Sequence, residues 1–198
     1  MTTTPGAPGL RERNKQRRTE AILDAGLQLL REDPAQNFTI ERVAALAGVA
    51  PMTVFNLIGN RDQLWGSMAD RALEGLDLSA IDEADPHQRA LRIVDEVVRV
   101  LRSDAAVFRA LLSGWAESGK LLAHDPSDEL TRCLEAGYRQ AQERGHARAD
   151  VEVRRIGEVL AAGLVGTIHQ WTAGLIGDRR FRSRAHAVVD VAFLAVRG

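Results

Sequence analysis

A short segment near residue 50 carries side chains that suit the edges of nucleic-acid bases. Pro51 favours the first position of a helix, because the N–H that proline lacks would be unpaired there in any residue. At about 100° per residue, Met52 and Asn56 then point to one side, with Thr53 and Phe55 on its flanks. This face is uncharged. An amide such as that of Asn56 can pair with adenine, and Met52 can lie against a thymine methyl group, so the pattern predicts a helix that reads base edges.

The preceding residues have the signals of a helix that leads into this one through a tight turn. Thr39 is a good N-cap, and Phe38 before it can pack against Val43 at the spacing of a hydrophobic staple. Gly48 can take the positive φ that redirects the chain where the first helix ends. Residues 39–58 therefore predict a helix-turn-helix. The alternative is a structural helical hairpin with no nucleic-acid partner.

The N-terminal residues form a basic segment beside this motif. Its cations are Arg11, Arg13, Lys15, Arg17 and Arg18, and its one acid is Glu12. Short basic termini are usually only solvated, but a neighbouring helix-turn-helix favours contact with phosphates. We expect Arg17 and Arg18 to take part in DNA binding. Residues 1–10, which are rich in Pro, Gly and Thr, are expected to form a disordered tail.

The rest of the chain follows the period of an α-helix. Apolar residues recur about every 3.6 positions along most of the chain, and no segment alternates as a strand does, so the sequence predicts an all-α fold. We expect a three-helix DNA-binding domain over residues 11–60, after the tail, and a larger helical domain over 61–198.

The last two predicted helices carry more apolar surface than a single neighbour would cover. The first, at about 151–175, has two apolar faces, and the second, at about 183–196, is apolar at most positions. A homodimer in which this hairpin pairs with its copy as a four-helix bundle is the simplest explanation. Packing inside one monomer is the alternative.

The residues that could support catalysis or metal binding lack the necessary spacing. Cys133 is the single cysteine, which excludes internal disulfides and cysteine-rich zinc sites and fits a reducing compartment such as the cytoplasm. The five histidines have no ligand spacing, and there is no glycine-rich phosphate motif. No apolar stretch reaches the roughly 18 residues that a membrane span needs. We therefore expect no enzyme activity, no cofactor or metal, no membrane and a cytoplasmic location.

Three segments of the sequence resemble the TetR family of bacterial transcriptional regulators. The matching residues are Ala47-Gly48-Val49 in the turn, Thr53-Val54-Phe55 in the reading helix and Asn60-Arg61-Asp62-Gln63-Leu64 at the start of the next helix. The region from Asp150 to Arg197 is also similar to the family's dimerising helices, so the resemblance covers almost the whole chain. It implies a ligand-responsive repressor that binds a palindromic operator in double-stranded DNA as a homodimer.

The resemblance also implies roles for individual residues. Thr39 and Arg42 are expected near phosphates, Pro51, Met52, Thr53 and Phe55 in the major groove, and Arg61 on a phosphate at the start of the fourth helix. The C-terminal helices are expected to enclose a pocket for an unknown small-molecule effector. The candidate lining residues, each of which could equally belong to the core, are Val98, Phe108, Leu112, Trp115, Leu134, Tyr138, Leu164 and Ile168.

Four residues near the reading helix depart from the family pattern. Ala50 stands where Ser is frequent, which removes a cap worth about 1 kcal/mol. Phe55 replaces the usual Tyr, Leu57 stands where His is frequent, and Gly59 stands where Lys is frequent, so polar contacts to phosphate are fewer. These departures leave open a second function, a helical dimer that binds a small molecule or a protein partner without specific DNA binding.

Overall fold

The computed structural model describes residues 9–32, 38–118, 127–146 and 151–196, except for the side chains of 114–118 and 127–128. Within these ranges the chain is helical without any strand, so the predicted all-α fold is confirmed. The helices are α1 (Leu10–Glu32), α2 (Ile40–Leu46), α3 (Pro51–Leu57), α4 (Arg61–Leu73), α5 (Pro86–Ser103), α6 (Ala105–Ser118), α7 (Ser127–Glu143), α8 (Val153–Thr172) and α9 (Asp178–Val196). The tail predicted for residues 1–10 falls outside the described residues up to residue 8, and Leu10 already belongs to α1.

The chain divides into two compact units, one ending at Ala72 and the other beginning at Leu73. In the first unit, α1 packs against both short helices, α2 and α3, which also pack against each other. Ile22 of α1, Val43 of α2 and Val54 of α3 are fully buried. Their burial makes one small core under the helix-turn-helix.

The first unit extends past the predicted boundary at residue 60, because α4 packs against α1. A Cβ on Gly26 of α1 would come within 2.3 Å of the Sδ atom of Met68, so the two helices approach closely at this point. Arg71 of α4 also pairs with Asp24 of α1 at 3.2 Å. These contacts join residues far apart in sequence, which local spacing does not reveal.

The second unit packs α5, α7, α8 and α9 against one another, with α6 against α5 and α8. Its largest fully buried side chain is Trp171 of α8, whose ring stacks on Phe181 of α9 at a centroid distance of 5.0 Å. Leu134 of α7 and Leu160 of α8 are buried in the same unit.

The joint between α8 and α9 differs from the sequence prediction. α8 ends at Thr172 rather than near residue 175, because Gly174 takes a φ of +72° and closes the helix with a hydrogen bond from its N–H to the carbonyl of Trp171. α9 begins at Asp178 rather than at residue 183. The Nε1 atom of Trp171 donates to Asp178 at 2.9 Å, and Phe181 stacks on the same ring, so the expected polar turn forms the first turn of the helix.

Charged side chains join α5 to α9 along one flank. Asp95 accepts from Arg182 at 2.6 and 2.8 Å and pairs with Nε2 of His186 at 2.7 Å. His87 pairs with Asp190 at 2.8 Å further along the same two helices. The hydrogen bonds from the Arg182 guanidinium, reinforced by His186, hold the pKa of the Asp95 carboxyl below its usual range.

Among the described residues, no single helix is long and apolar enough to cross a membrane, and the one pair that reaches this by length and composition, α2 with α3, is bent by 99°.

Replacing Asp95 with Asn should make the free energy of unfolding less dependent on pH in the acidic range. Because the folded-state pKa is lowered, the stabilisation by Asp95 is complete above the ordinary aspartate value of about 4 and disappears as the pH falls through the lowered pKa. We expect Asp95→Asn to reduce the free energy of unfolding by about 1 kcal/mol at pH 5 and above, and by progressively less below pH 4. Urea unfolding across this range measures the difference, with Asp70→Asn on the exposed side of α4 as the control. An equal loss at every pH would contradict the ion-pair explanation.

Candidate nucleic-acid interface

The turn between α2 and α3 is built by short-range hydrogen bonds. The Oγ1 atom of Thr39 accepts from the backbone N–H of Arg42 at 3.3 Å, so the predicted N-cap of α2 is confirmed. Gly48 takes a φ of +67°, and the N–H of Val49 returns to the carbonyl of Ala44 at 2.9 Å. This is the Schellman arrangement, in which a glycine in the left-handed region ends the helix and satisfies its last carbonyls.

The predicted face of α3 points to solvent. Pro51 is the first residue of the helix, and Val54 on the inner side is fully buried. On the outer side Met52 is 65% exposed and Phe55 is 45% exposed, and Asn56 is exposed beside them. The side chain of Thr53 is half-buried on the flank.

The start of α3 lacks a side-chain cap, as the sequence predicted. Ala50 occupies the N-cap position in an extended conformation and offers no side-chain acceptor to the free N–H groups of the first turn. Helix α3 is therefore held by Pro51 and by burial of Val54 rather than by its own cap.

The start of α4 is closed by a reciprocal pair of hydrogen bonds. The Oδ1 atom of Asn60 accepts from the N–H of Gln63, and the Oε1 atom of Gln63 accepts from the N–H of Asn60, both at 2.9 Å. Gly59 in front of this capping box has a φ of +116°, which favours glycine, and a Cβ there would come within 2.0 Å of Oε1 of Gln63 and displace that side chain. The backbone conformation at position 59 thus favours the glycine that stands where the family often has lysine.

An aromatic pair lies beside this helix start. The ring of Trp65 in α4 meets the ring of Phe38 edge to face, with centroids 4.9 Å apart. The guanidinium carbon of Arg61 lies over the Trp65 ring, 5.6 Å from its centroid. The sequence prediction included Arg61 and missed Trp65. Arg61 and Trp65 are four residues apart on one helix, a spacing from which their contact could have been predicted. The contact between Trp65 and Phe38 has no such signal in the sequence.

The basic segment forms the first turns of α1 and is exposed throughout. At about 100° per residue, Arg18 lies on the same side of the helix as the buried Ile22, four residues later, while Arg17 lies on the other side. Arg42 on α2 is exposed as well. The first unit therefore carries exposed cations at the starts of α1, α2 and α4.

The residues predicted to line an effector pocket are divided between the core and its edge. Val98, Phe108 and Leu134 are buried. The half-buried residues of the set are Leu112, Tyr138, Leu164 and Ile168. The side chain of Trp115 lies outside the described ones. The grooves described among the resolved ranges of the second unit are lined by other residues.

The largest described groove runs between α8 and α9 and has a volume of about 980 Å³. Its floor includes Gly163 and Val188, which pack so closely that a Cβ on the glycine would come within 2.8 Å of the valine. Val159 and Val191 line it and are 68% and 65% exposed. Exposed apolar side chains of this size on two adjacent helices are unusual unless a partner covers them.

Solved structures with the same architecture are bacterial regulators. A TetR transcriptional regulator from Agrobacterium tumefaciens has 20% sequence identity and a TM-score of 0.63, with 92% of this chain and 95% of that chain covered. SmeT, the repressor of the Stenotrophomonas maltophilia multidrug efflux pump SmeDEF, has 18% identity and a TM-score of 0.63, with 93% of each chain covered. A TetR regulator from Rhodococcus sp. RHA1 has 17% identity and a TM-score of 0.62, with 92% and 97% covered. The fold is that of the TetR-family regulators.

The resemblance found in the sequence is thereby confirmed at the level of the fold. No protein-family model matches the chain, and no curated protein matches it. In this TetR fold the first unit supplies the helix-turn-helix, with α3 as its second helix, and the second unit supplies the C-terminal helical domain.

Replacing Gly59 should disturb the joint between α3 and α4. We expect Gly59→Ala to destabilise the protein by about 1–3 kcal/mol, since alanine is strained at a φ of +116° and its Cβ displaces the Gln63 cap. Gly66→Ala in the same α4 is the matched control, because its Cβ would meet no atom within 4 Å and alanine favours a helix by up to about 1 kcal/mol. Chemical unfolding at equal protein concentration should therefore give effects of opposite sign. Two effects of the same sign would refute this account of the joint.

Proposed function

We propose that the protein is a ligand-responsive, sequence-specific DNA-binding regulator that acts as a repressor on a palindromic operator. The observation that carries the proposal is the exposed, uncharged face of α3. Met52 and Phe55 stay in solvent although burial would stabilise them, and both lie on the second helix of a helix-turn-helix. The edges of bases are the partner that accounts for this face.

The surrounding polar and charged groups suit the DNA backbone. Thr39 and Arg42 at the start of α2 and Arg61 at the start of α4 are exposed, and phosphate contacts at such positions fix the register of a reading helix. Asn56 would pair with adenine and Met52 with a thymine methyl group, while Pro51, Thr53 and Phe55 would border the groove. Phe55 has no hydroxyl group to donate, so more of the phosphate affinity would rest on arginines, including Arg17 and Arg18.

The dimer in this proposal forms through α8 and α9. The groove between them exposes Val159 and Val191, and a two-fold dimer through this face would bury both residues in each subunit. Polar side chains border the groove, including Arg184, which hydrogen-bonds Gln170 across the two helices. An apolar centre with a polar rim is typical of interfaces between subunits.

The proposal includes repression as the direction of regulation and a small molecule as the effector. SmeT and NalD, the latter from Pseudomonas aeruginosa, are repressors of multidrug efflux pumps, which supports repression as the mode of action of a chain with this fold. The half-buried Leu112, Tyr138 and Leu164 are the described residues best suited to meet a small molecule of mostly apolar surface. A regulator that meets promoter DNA in a bacterium works in the cytoplasm.

Selection of bound fragments from genomic DNA tests the proposal and supplies the operator. At the selected site we expect Asn56→Ala and Met52→Ala each to weaken binding by roughly tenfold while leaving nonspecific binding nearly unchanged. Arg17→Gln and Arg18→Gln should instead weaken binding to all sequences and lower the slope of log affinity against log salt by about 1 each.

Arg139→Gln in α7 is the matched control for these arginine variants, since it removes the same charge from an exposed helix of the second unit. Its affinity and salt slope should equal those of the unmodified protein. If no DNA is bound even at low salt, the regulator is excluded and the helical dimer that binds only a small molecule or a protein partner takes its place.

A charge in the α8–α9 groove should separate the subunits. Val191→Glu would bury two like charges near the two-fold axis. We therefore expect the dissociation constant of the dimer to rise by about 100-fold or more. Light scattering after size-exclusion chromatography measures the mass. Leu10→Glu at the start of α1 is the control, because that leucine is 72% exposed and lies in the other unit. A dimer that persists in Val191→Glu would exclude this interface.

A further inference from the structure

Arg61 and Trp65 lie one helical turn apart on α4, and the guanidinium of Arg61 lies over the face of the indole ring. The guanidinium carbon is 5.6 Å from the ring centroid, which is within the range of a cation–π interaction. Side chains on a helix lean toward its N-terminus, so the ring of residue 65 lies beneath the side chain of residue 61 at the exposed start of α4. The ring thus forms a platform for the arginine.

The platform is itself fixed in place. Trp65 is 8% exposed and Phe38 is 7% exposed, and their rings meet at an angle of 88°. Phe38 directly precedes Thr39, the N-cap of α2. The aromatic pair therefore connects the starts of α2 and α4, the two places where phosphate contacts are proposed.

Two polar side chains at the start of α4, those of Asn60 and Gln63, are already engaged with each other. The side chains of Asn60 and Gln63 close the capping box, so neither competes for Arg61. In the described part of the chain, Arg61 has no carboxylate or carbonyl partner, and its guanidinium is exposed. The cation–π interaction restrains the side chain and leaves its N–H donors for an anion.

We propose that Trp65 is a positioning residue that holds Arg61 at the phosphate it contacts, with Phe38 fixing the ring relative to the start of α2. The inference rests on the proposed function, because Arg61 meets a phosphate only if the protein binds DNA. An arginine in solution samples many rotamers, and binding must select one of them. The aromatic platform makes that selection before DNA arrives, which strengthens binding without any contact between Trp65 and the nucleic acid.

A double-mutant cycle on operator affinity tests the proposal. We expect Arg61→Ala to weaken binding by roughly three- to tenfold and to lower the salt slope by about 1. Trp65→Met, which keeps an apolar side chain without a ring, should weaken binding by roughly two- to fivefold when Arg61 is present and should have no effect when residue 61 is alanine. Trp65→Phe retains a ring and should restore most of the affinity.

A cycle between Arg17→Ala and Trp65→Met is the matched control, since Arg17 carries the same charge on α1 and has no described contact with the indole. In that cycle the fold-loss of affinity in the double variant should equal the product of the two single losses. A purely structural role of Trp65 would weaken binding equally in all backgrounds, and this result would overturn the inference while leaving the regulator intact. If the unmodified protein binds no DNA, the proposed function and this inference are both wrong.

Fluorinated tryptophan provides a second measurement that does not depend on the folding of Trp65→Met. Fluorine withdraws electron density from the ring and weakens its attraction for a cation with little change in shape. Uniform incorporation should weaken operator binding when Arg61 is present and should leave the binding of the Arg61→Ala variant unchanged. Because that variant carries all three fluorinated tryptophans, it also controls for effects of the other two. Equal losses in both proteins would exclude the platform.

Discussion

The exposed face of α3 depends on the buried side of two helices that are too short to be stable alone. α2 and α3 have seven residues each, whereas isolated helices of fewer than about 12 residues are marginal in water. Val43, Ala44 and Val54 have no exposed surface, so packing against α1 supplies the stability that length does not. Met52 is exposed because it lies opposite Val54, and Phe55 is exposed on the flank beside it. The side chains that α3 presents to solvent therefore follow from one buried stripe.

The parts of this unit that could be predicted are those governed by neighbours in sequence. The cap at Thr39, the positive φ of Gly48 and the position of Pro51 each act within about four residues, and the structure agrees with all three. Phe38 shows where this reasoning ends. Its sequence position suggests a staple on Val43, but gives no signal for the contact that its ring makes with Trp65 of α4. The same kind of distant contact joins α4 to α1 in the first unit.

The sequence could not show which apolar residues line an effector pocket, for a different reason. Apolar residues at helical spacing identify a face that is removed from water, but the spacing is the same for a filled core and for the wall of a cavity. Val98 and Phe108 are buried, while Leu164 is half-buried with the same periodic signal. A cavity requires that several helices fail to fill the space between them. That property belongs to the assembled helices and is not encoded in any one of them.

The rotation of α9 explains why its apolar side is left exposed. Arg182, His186 and Asp190 lie on one flank and pair with α5, whereas Val191 lies on the opposite flank. Pairs of this kind add little stability, but they are directional, and a rotation of about 100° from a slip of one residue would break them together. Together with the burial of Phe181, Val189 and Phe193, the ion pairs fix which side of α9 faces outward. Because that side carries valine and alanine along the groove with α8, its exposure is a determined feature of the fold, as a surface reserved for a second copy of the chain would require.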